Sequence, residues 1–333
     1  MRISVFGAGS WGTALAHHAG RCGHEVLLWA LEPEVVEGIN REHRNPLYVS
    51  ELPVHRGVTA SGDLDEVARF AETWIWVVPV QHSRKLMGRL SGNLRSDVVM
   101  ISASKGLETG TMKRMDQLAW EVLNLPSSRF CCLSGPTFAK EVLEGHPSAA
   151  VLACMETSQA ERLQRELSDL HLRLYAGRDL VGVELAGALK NVIAIAAGVV
   201  DSLGYGANTQ AALMTRGLHE ITRLGVRLGA DASTFRGLAG MGDLVLTCTG
   251  GLSRNRRVGQ RIGRGETLEQ ILDTMREVAE GVRTAPAAAR LAREHGIEMP
   301  ITDAVTAVLA GEVEPRRAVQ ELMTRELKPE AKL

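Results

Sequence analysis

Gly7, Gly9 and Gly12 stand in the run Phe6-Gly7-Ala8-Gly9-Ser10-Trp11-Gly12, a spacing that suits a pyrophosphate cradle. The first glycine permits a tight turn, the second lets backbone approach the diphosphate, and the third lets helix pack on strand. A helix opening at this point adds its N–H groups and the positive end of its dipole. An ordinary strand-to-helix turn is the plainer reading, but here a strand pattern precedes the glycines and a helical pattern follows them. Glu32 lies 20 residues beyond Gly12. It is placed to hydrogen-bond the ribose hydroxyls of a dinucleotide and to repel an extra 2′-phosphate, while Leu31 beside it offers no charge. It fits equally well as an acid in the first turn of a helix starting near Glu34.

A second group of residues suggests acid–base chemistry and anion binding. Lys190 sits in an apolar stretch, Glu184 to Gly198, with Gly187, Ala194 and Ala197 on nearby turns, so another surface can approach it closely. An ammonium in such a groove is costly to keep charged, and its pKa should fall toward a range useful for proton transfer. Snorkelling to water is the competing reading. Ser253, Arg254 and Asn255 follow a glycine turn, and Ser253 has the character of an N-cap. A helix N-terminus, a planar guanidinium and an amide suit a phosphate monoester, although Arg254, Arg256 and Arg257 also read as a solvated basic turn. Asp243 lies in another glycine-lined turn, where an Asx turn or a helix cap explains it as well. Two loops, Ser104-Lys105-Gly106 and Ser134-Gly135-Pro136-Thr137-Phe138-Ala139, follow strand patterns, at the carboxyl ends where α/β sheets bind ligands. Turn chemistry alone also accounts for them.

The elements that must position these residues fall into two halves. Strand patterns at Arg2 to Phe6, Glu25 to Ala30, Trp74 to Val78, Val98 to Ala103 and Phe130 to Ser134 alternate with helical spacing at Trp11 to Cys22, Glu34 to His43, His82 to Leu90 and Met112 to Leu123. Such alternation predicts an α/β domain with a doubly wound, mainly parallel sheet. Runs at Ala149 to Ala153 and Leu172 to Tyr175 flank a helical stretch and extend the sheet. From about Asp179 the pattern turns all-helical, starting with a long helix to about Leu203. The division predicted is residues 1–180 and residues 181–333, with a ligand in the gap between them.

The chain has 333 residues, enough for two domains of roughly 100 to 200 residues each. Apolar residues make up 45% and charged residues 23%, with 38 basic against 39 acidic side chains, which disfavours disorder and bulk attraction to nucleic acid. Five cysteines, two of them adjacent at Cys131 and Cys132, lack disulfide or zinc spacing, and a reducing cytoplasm fits best. His17, His18, His82 and His171 show no ligand spacing, so no metal is expected. The first apolar run is too short for a signal-peptide core. Leu185 to Val200, interrupted by Lys190 and Asn191, falls short of the ~20 apolar residues of a membrane span. A helical second domain often presents an apolar face, which is compatible with a homodimer.

With these motifs in order along the chain, the sequence resembles the bacterial NAD(P)-dependent glycerol-3-phosphate dehydrogenase family, from Gly7 to about Glu280. The resemblance rests on residues 7 to 16 (GAGSWGTALA), 104 to 108 (SKGLE), 134 to 141 (SGPTFAKE), 187 to 192 (GALKNV), 237 to 244 (GLAGMGDL) and 253 to 256 (SRNR). It implies a Rossmann-type dinucleotide-binding domain followed by an all-helical substrate-binding domain. The implied reaction is reversible hydride transfer between NAD(P)H and dihydroxyacetone phosphate, giving sn-glycerol 3-phosphate for glycerophospholipid synthesis.

It further implies that Ser10, Trp11, Lys105, Ala139, Arg254, Val278 and Glu280 meet the cofactor, beside Gly7, Gly9, Gly12 and Glu32 as read above from the glycine turn. Lys105, Gly135, Thr137, Lys190, Asp243, Ser253, Arg254 and Asn255 would form the substrate site, with Lys190 as proton donor and acceptor. Two positions depart from the family's usual pattern. Thr137 stands where serine is usual and keeps the hydroxyl. Leu31 and Glu32 stand where a basic residue is common, which argues against strong NADP preference. A related two-domain hydroxyacid reductase and a non-catalytic NAD(H)-sensing protein are the alternatives.

Overall fold

Short runs of β-branched and aromatic residues become the strands of a single sheet in the computed structural model, which describes residues 1–92, 95–275, 278–327 and 329–330. The strands are β1 (Arg2–Phe6), β2 (Glu25–Trp29), β3 (Val58–Ser61), β4 (Thr73–Trp76), β5 (Val99–Ser102), β6 (Phe130–Ser134), β7 (Ser148–Cys154) and β8 (Leu172–Gly177). Their spatial order is β3-β2-β1-β4-β5-β6-β7-β8. Every neighbouring pair is parallel except β6 with β7. Strands β4, β5 and β6 are buried along their whole length, which is why they read as continuous apolar runs without alternation. The chain winds outward in opposite directions from β1 and β4, and Gly7 follows β1 directly at that switch point.

The strand β3 is absent from the sequence reading. Its four residues lie between Gly57 and Gly62 and pair only with β2, at the sheet's edge, so the run is too short to show a period. The expected helix Glu34 to His43 is instead Pro33–Glu37 continued by a wider π-type turn, Gly38–Glu42. The expected helix Met112 to Leu123 starts at Met115, because Met112 adopts φ +57°, a left-handed conformation that cannot continue a helix.

The chain divides into two compact units, residues 1–104 with 115–180, and residues 105–114 with 181–333. The expected division at residue 180 is therefore corrected for one segment. Leu107 is fully buried in the core of the helical unit, Lys105 Nζ donates to Asp243 at 2.8 Å, and Arg114 Nε donates to Glu184 at 3.2 Å. These anchors tie the segment to residues far along the chain.

In the helical unit the longest apolar helix, Leu180–Ser202, has 23 residues and a mean hydropathy of 1.7 over its most apolar window. By length and composition it could cross a membrane, contrary to the sequence expectation, but it is buried inside the protein and serves as a core helix. The helix Arg254–Gly263 crosses it backbone to backbone. A Cβ at Gly198 would stand 2.0 Å from the Arg256 carbonyl oxygen, and one at Gly259 would stand 1.9 Å from that of Ile195. The expected helix Ala232 to Leu238 is broken into two short turns, Thr234–Arg236 and Leu238–Gly242, where glycines interrupt the pattern.

Candidate active site

In the sheet unit the glycine turn has one structural reason at two positions and none at the third. Gly7 has φ +106°, and a Cβ on Gly12 would lie 1.8 Å from the Gly7 carbonyl oxygen, so both are fixed by the fold itself. Gly9 has ordinary dihedrals and nothing within 4 Å of where its Cβ would be. Packing does not require glycine there; the open space suits a ligand approaching the backbone. Gly9 also caps the helix Ser10–Arg21 without a side-chain acceptor, and that helix has no acid in its first turn. Trp11 Nε1 is buried with no hydrogen-bond partner among the described residues. The cradle therefore fits a dinucleotide's diphosphate on this chain's own geometry.

Glu32 is the N-cap residue of Pro33–Glu37, yet its side chain makes no capping bond. Instead its Oε1 accepts from the Tyr48 hydroxyl at 2.8 Å, which holds the carboxylate at the end of β2. The first-turn reading of Glu32 is thus not what the side chain does. Gly135 has a packing reason, since a Cβ would come within 2.7 Å of Ala150. Thr137 Oγ1 donates to the Gly135 carbonyl at 3.1 Å. Ala139 opens the helix Ala139–Leu143 and packs, like Trp11, against the cluster of Ala14, Val142 and Leu143.

The helical unit brings three of the expected residues into one bonded cluster. Lys190 Nζ donates to Asp243 Oδ1 at 2.6 Å and to Thr247 Oγ1 at 2.7 Å, while Lys105 Nζ donates to Asp243 Oδ2 at 2.8 Å. Lys190 is 6% exposed and Asp243 1%, so neither snorkelling nor a surface Asx turn describes them. Burial pulls the Lys190 ammonium down to about 8; Asp243 opposes that shift and Lys105 adds to it. Burial alone would raise the Asp243 carboxyl, but the two ammoniums outweigh it and hold it below the usual carboxylate range. The result is a buried carboxylate between two cations, hydrogen-bonded on both oxygens.

Ser253 is the N-cap of Arg254–Gly263, its Oγ accepting from the Arg256 N–H at 3.2 Å. Asn255 Nδ2 donates to Asn191 Oδ1 at 3.0 Å, and Asn255 Oδ1 accepts from the Gly281 N–H at 3.0 Å. This amide ties the helices Leu180–Ser202, Arg254–Gly263 and Glu280–Glu294 together. Arg254 Nη1 donates to the Val278 carbonyl at 3.4 Å, just before Glu280 opens its helix. Arg256 pairs with Asp201 at 3.0 Å, so the basic turn is not uniformly solvated.

Thr247 and Asn191 were missed by sequence reasoning. Thr247 is one helical turn after Asp243, and that i,i+4 spacing was the available signal. The structure also gathers His18, Cys22 and Asp169, with ligand-type atoms within 4.8 Å of one another. Asp169 is already committed there, to Arg21 and to the His171 and Leu172 N–H groups.

A sheet of Rossmann order with a glycine turn at its switch point, and a helical unit that buries a lysine against a carboxylate, together define the class of dinucleotide-dependent oxidoreductases. Two family models match nearly end to end: the NAD-dependent glycerol-3-phosphate dehydrogenase N-terminus over residues 2–160 and the same family's C-terminus over residues 179–320. The chain belongs to the NAD-dependent glycerol-3-phosphate dehydrogenase family. It is 49% identical over 330 residues to glycerol-3-phosphate dehydrogenase [NAD(P)+] of Nitratidesulfovibrio vulgaris (strain DP4), covering 99% of this chain and 100% of that one. It is 50% identical over 331 residues to the Trichlorobacter lovleyi protein of the same name, covering 99% of each. The crystal structure of glycerol-3-phosphate dehydrogenase from Coxiella burnetii superposes with a TM-score of 0.92 at 35% identity, over 97% of this chain and 99% of that one.

Proposed function

We propose that this protein catalyses reversible reduction of dihydroxyacetone phosphate to sn-glycerol 3-phosphate with NADH or NADPH, providing the backbone for glycerophospholipids. The observation that carries the reading is the Lys190 amine, buried, drawn down to about 8, and bonded to Asp243 and Thr247. An ammonium has three protons to donate. Two are engaged, and the third remains for a carbonyl oxygen.

The bound nicotinamide supplies the hydride that reaches the carbonyl carbon. Lys190 gives its proton to the oxygen as negative charge develops there, and in the reverse direction the neutral amine takes the hydroxyl proton. Lys105 adds a second positive charge beside the same carboxylate, so the site favours the developing alkoxide over the neutral ketone. Asp243 holds both ammoniums in place and Thr247 fixes the direction of Lys190. Arg254, at the N-terminus of the helix that Ser253 caps, binds the phosphate, with Asn255 bracing that helix. Gly135 and Thr137 contribute to the substrate site.

Gly7, Gly9 and Gly12, with Ser10 and Trp11, cradle the cofactor's diphosphate; Ala139, Val278 and Glu280 add contacts. The carboxylate of Glu32, steadied by Tyr48, takes the ribose hydroxyls and favours NADH over NADPH.

The test is nucleotide oxidation with dihydroxyacetone phosphate and with unphosphorylated dihydroxyacetone, each with NADH and with NADPH. Turnover is expected with the phosphorylated ketone and little without the phosphate. Equal efficiency on both ketones, or no turnover on either, would overturn the reading.

A further inference from the structure

Ala8 stands inside the glycine turn, and its carbonyl faces inward, accepting from Asn45 Nδ2 at 2.8 Å and from Thr13 Oγ1 at 3.2 Å. The peptide joining Ala8 to Gly9 is trans and planar, so a carbonyl held toward Asn45 makes the Gly9 N–H point away from it. Gly9 is also the glycine whose Cβ position is empty. The direction of a donor suited to a diphosphate is therefore set from behind, by a side chain 37 residues along the chain.

Asn45 is fully buried, with 0% exposure, and every hydrogen bond its amide can make is made. Nδ2 donates to Thr13 Oγ1 at 2.8 Å as well as to Ala8, and Oδ1 accepts from the Leu47 N–H at 3.2 Å and the Tyr48 N–H at 3.3 Å. The amide can sit only one way round, because the Ala8 carbonyl must accept and the two N–H groups must donate. The Oδ1 bonds form an Asx turn that fixes the backbone of Tyr48. Ser10 Oγ donates to the Tyr48 carbonyl at 3.4 Å, and the Tyr48 hydroxyl donates to Glu32 at 2.8 Å. One buried amide thus holds the diphosphate turn with its donors and, through Tyr48, the Glu32 carboxylate with its acceptor.

We propose, resting on the dinucleotide reading of this site, that Asn45 is a positioning residue that couples the glycine turn to Glu32 and so sets both the affinity for NADH and the discrimination against NADPH. It lies too deep to touch the nucleotide and acts through Ala8 and Tyr48. The experiment is equilibrium binding of NADH and of NADPH, read from nicotinamide fluorescence, to wild type, Asn45→Ala, Asn45→Asp and Glu32→Gln. Asn45→Ala should weaken both nucleotides about tenfold and narrow the ratio of the NADPH to the NADH dissociation constant about threefold or more. Asn45→Asp keeps the acceptor for Leu47 and Tyr48 but loses the donors to Ala8 and Thr13, so it should weaken both nucleotides and leave the ratio within about twofold. A merely structural role would lower the folded fraction, which acts on both nucleotides alike and leaves the ratio unmoved. A wild-type ratio in Asn45→Ala, while Glu32→Gln narrows it, would overturn the proposal and leave the reading of Glu32 standing. NADPH bound as tightly by both Asn45 variants as by wild type would also overturn it. An unchanged ratio in Glu32→Gln would overturn the proposal and that reading together.

Discussion

On the proposed mechanism Lys190 holds a proton in one direction of the reaction and lacks it in the other, so its surroundings would set opposite pH limits on the two. Burial brings its ammonium down to about 8. Ketone reduction needs the protonated form, and its kcat/KM should fall as pH rises through about 8; oxidation of sn-glycerol 3-phosphate needs the neutral amine and should rise through the same range. Rate profiles measured in both directions should therefore slope oppositely around that pH, and two parallel profiles would assign the proton to another group. The same proposal gives Arg254 a role in binding instead. A charge-assisted contact to phosphate is worth roughly 1.5–3 kcal/mol, so Arg254→Ala should raise the Michaelis constant for dihydroxyacetone phosphate about tenfold or more. An unchanged constant would place the phosphate elsewhere.

The glycine turn separates two reasons for a residue that look identical in sequence. A Cβ at position 12 would meet backbone at 1.8 Å, so Gly12→Ala should cost at least about 2 kcal/mol in urea unfolding. A Cβ at position 9 meets nothing, so Gly9→Ala should change stability by less than about 0.5 kcal/mol. It should nevertheless weaken NADH binding by about tenfold, because the added methyl occupies the space the diphosphate needs. Equal nucleotide affinity in Gly9→Ala and wild type would show that the diphosphate does not approach there. The turn, the flanking strand and helix, and Ser253 as a cap were all legible because each is a local pattern of a few residues. The cluster at Asp243 was not. Its lysines lie 53 and 138 residues away along the chain, and only the tertiary fold makes them neighbours. The same holds for the 105–114 segment, which reads as a continuation of the sheet domain and is claimed instead by Glu184, Asp243 and the helical core.

Across the whole molecule, hydropathy and titration depend on what the fold encloses. Leu180–Ser202 has the composition of a membrane span, and what distinguishes it is the protein packed around it. Glu220 is likewise buried, its carboxylate accepting from the Ile301 N–H at 2.7 Å and the Thr302 N–H at 3.2 Å at the start of the helix Pro300–Leu309. Burial raises it from 4.5 to about 7 despite those bonds. Because the folded value lies above the unfolded one, this group's contribution to stability is greatest below about pH 4.5 and is lost as pH rises through about 7. Relative to Glu220→Gln, wild type should lose about 3 kcal/mol of unfolding free energy over that window. A difference that stays flat from pH 4.5 to 8 would mean that the carboxylate is not held in an apolar setting.

The enzyme as a whole stands on the proposal that its buried amine delivers the proton, and Lys190→Ala probes this most directly in a single-turnover measurement of nicotinamide absorbance with dihydroxyacetone phosphate. The account predicts that hydride transfer slows by about 10² to 10⁴-fold while NADH binds as tightly as in wild type. Transfer at close to the wild-type rate in that variant would contradict it.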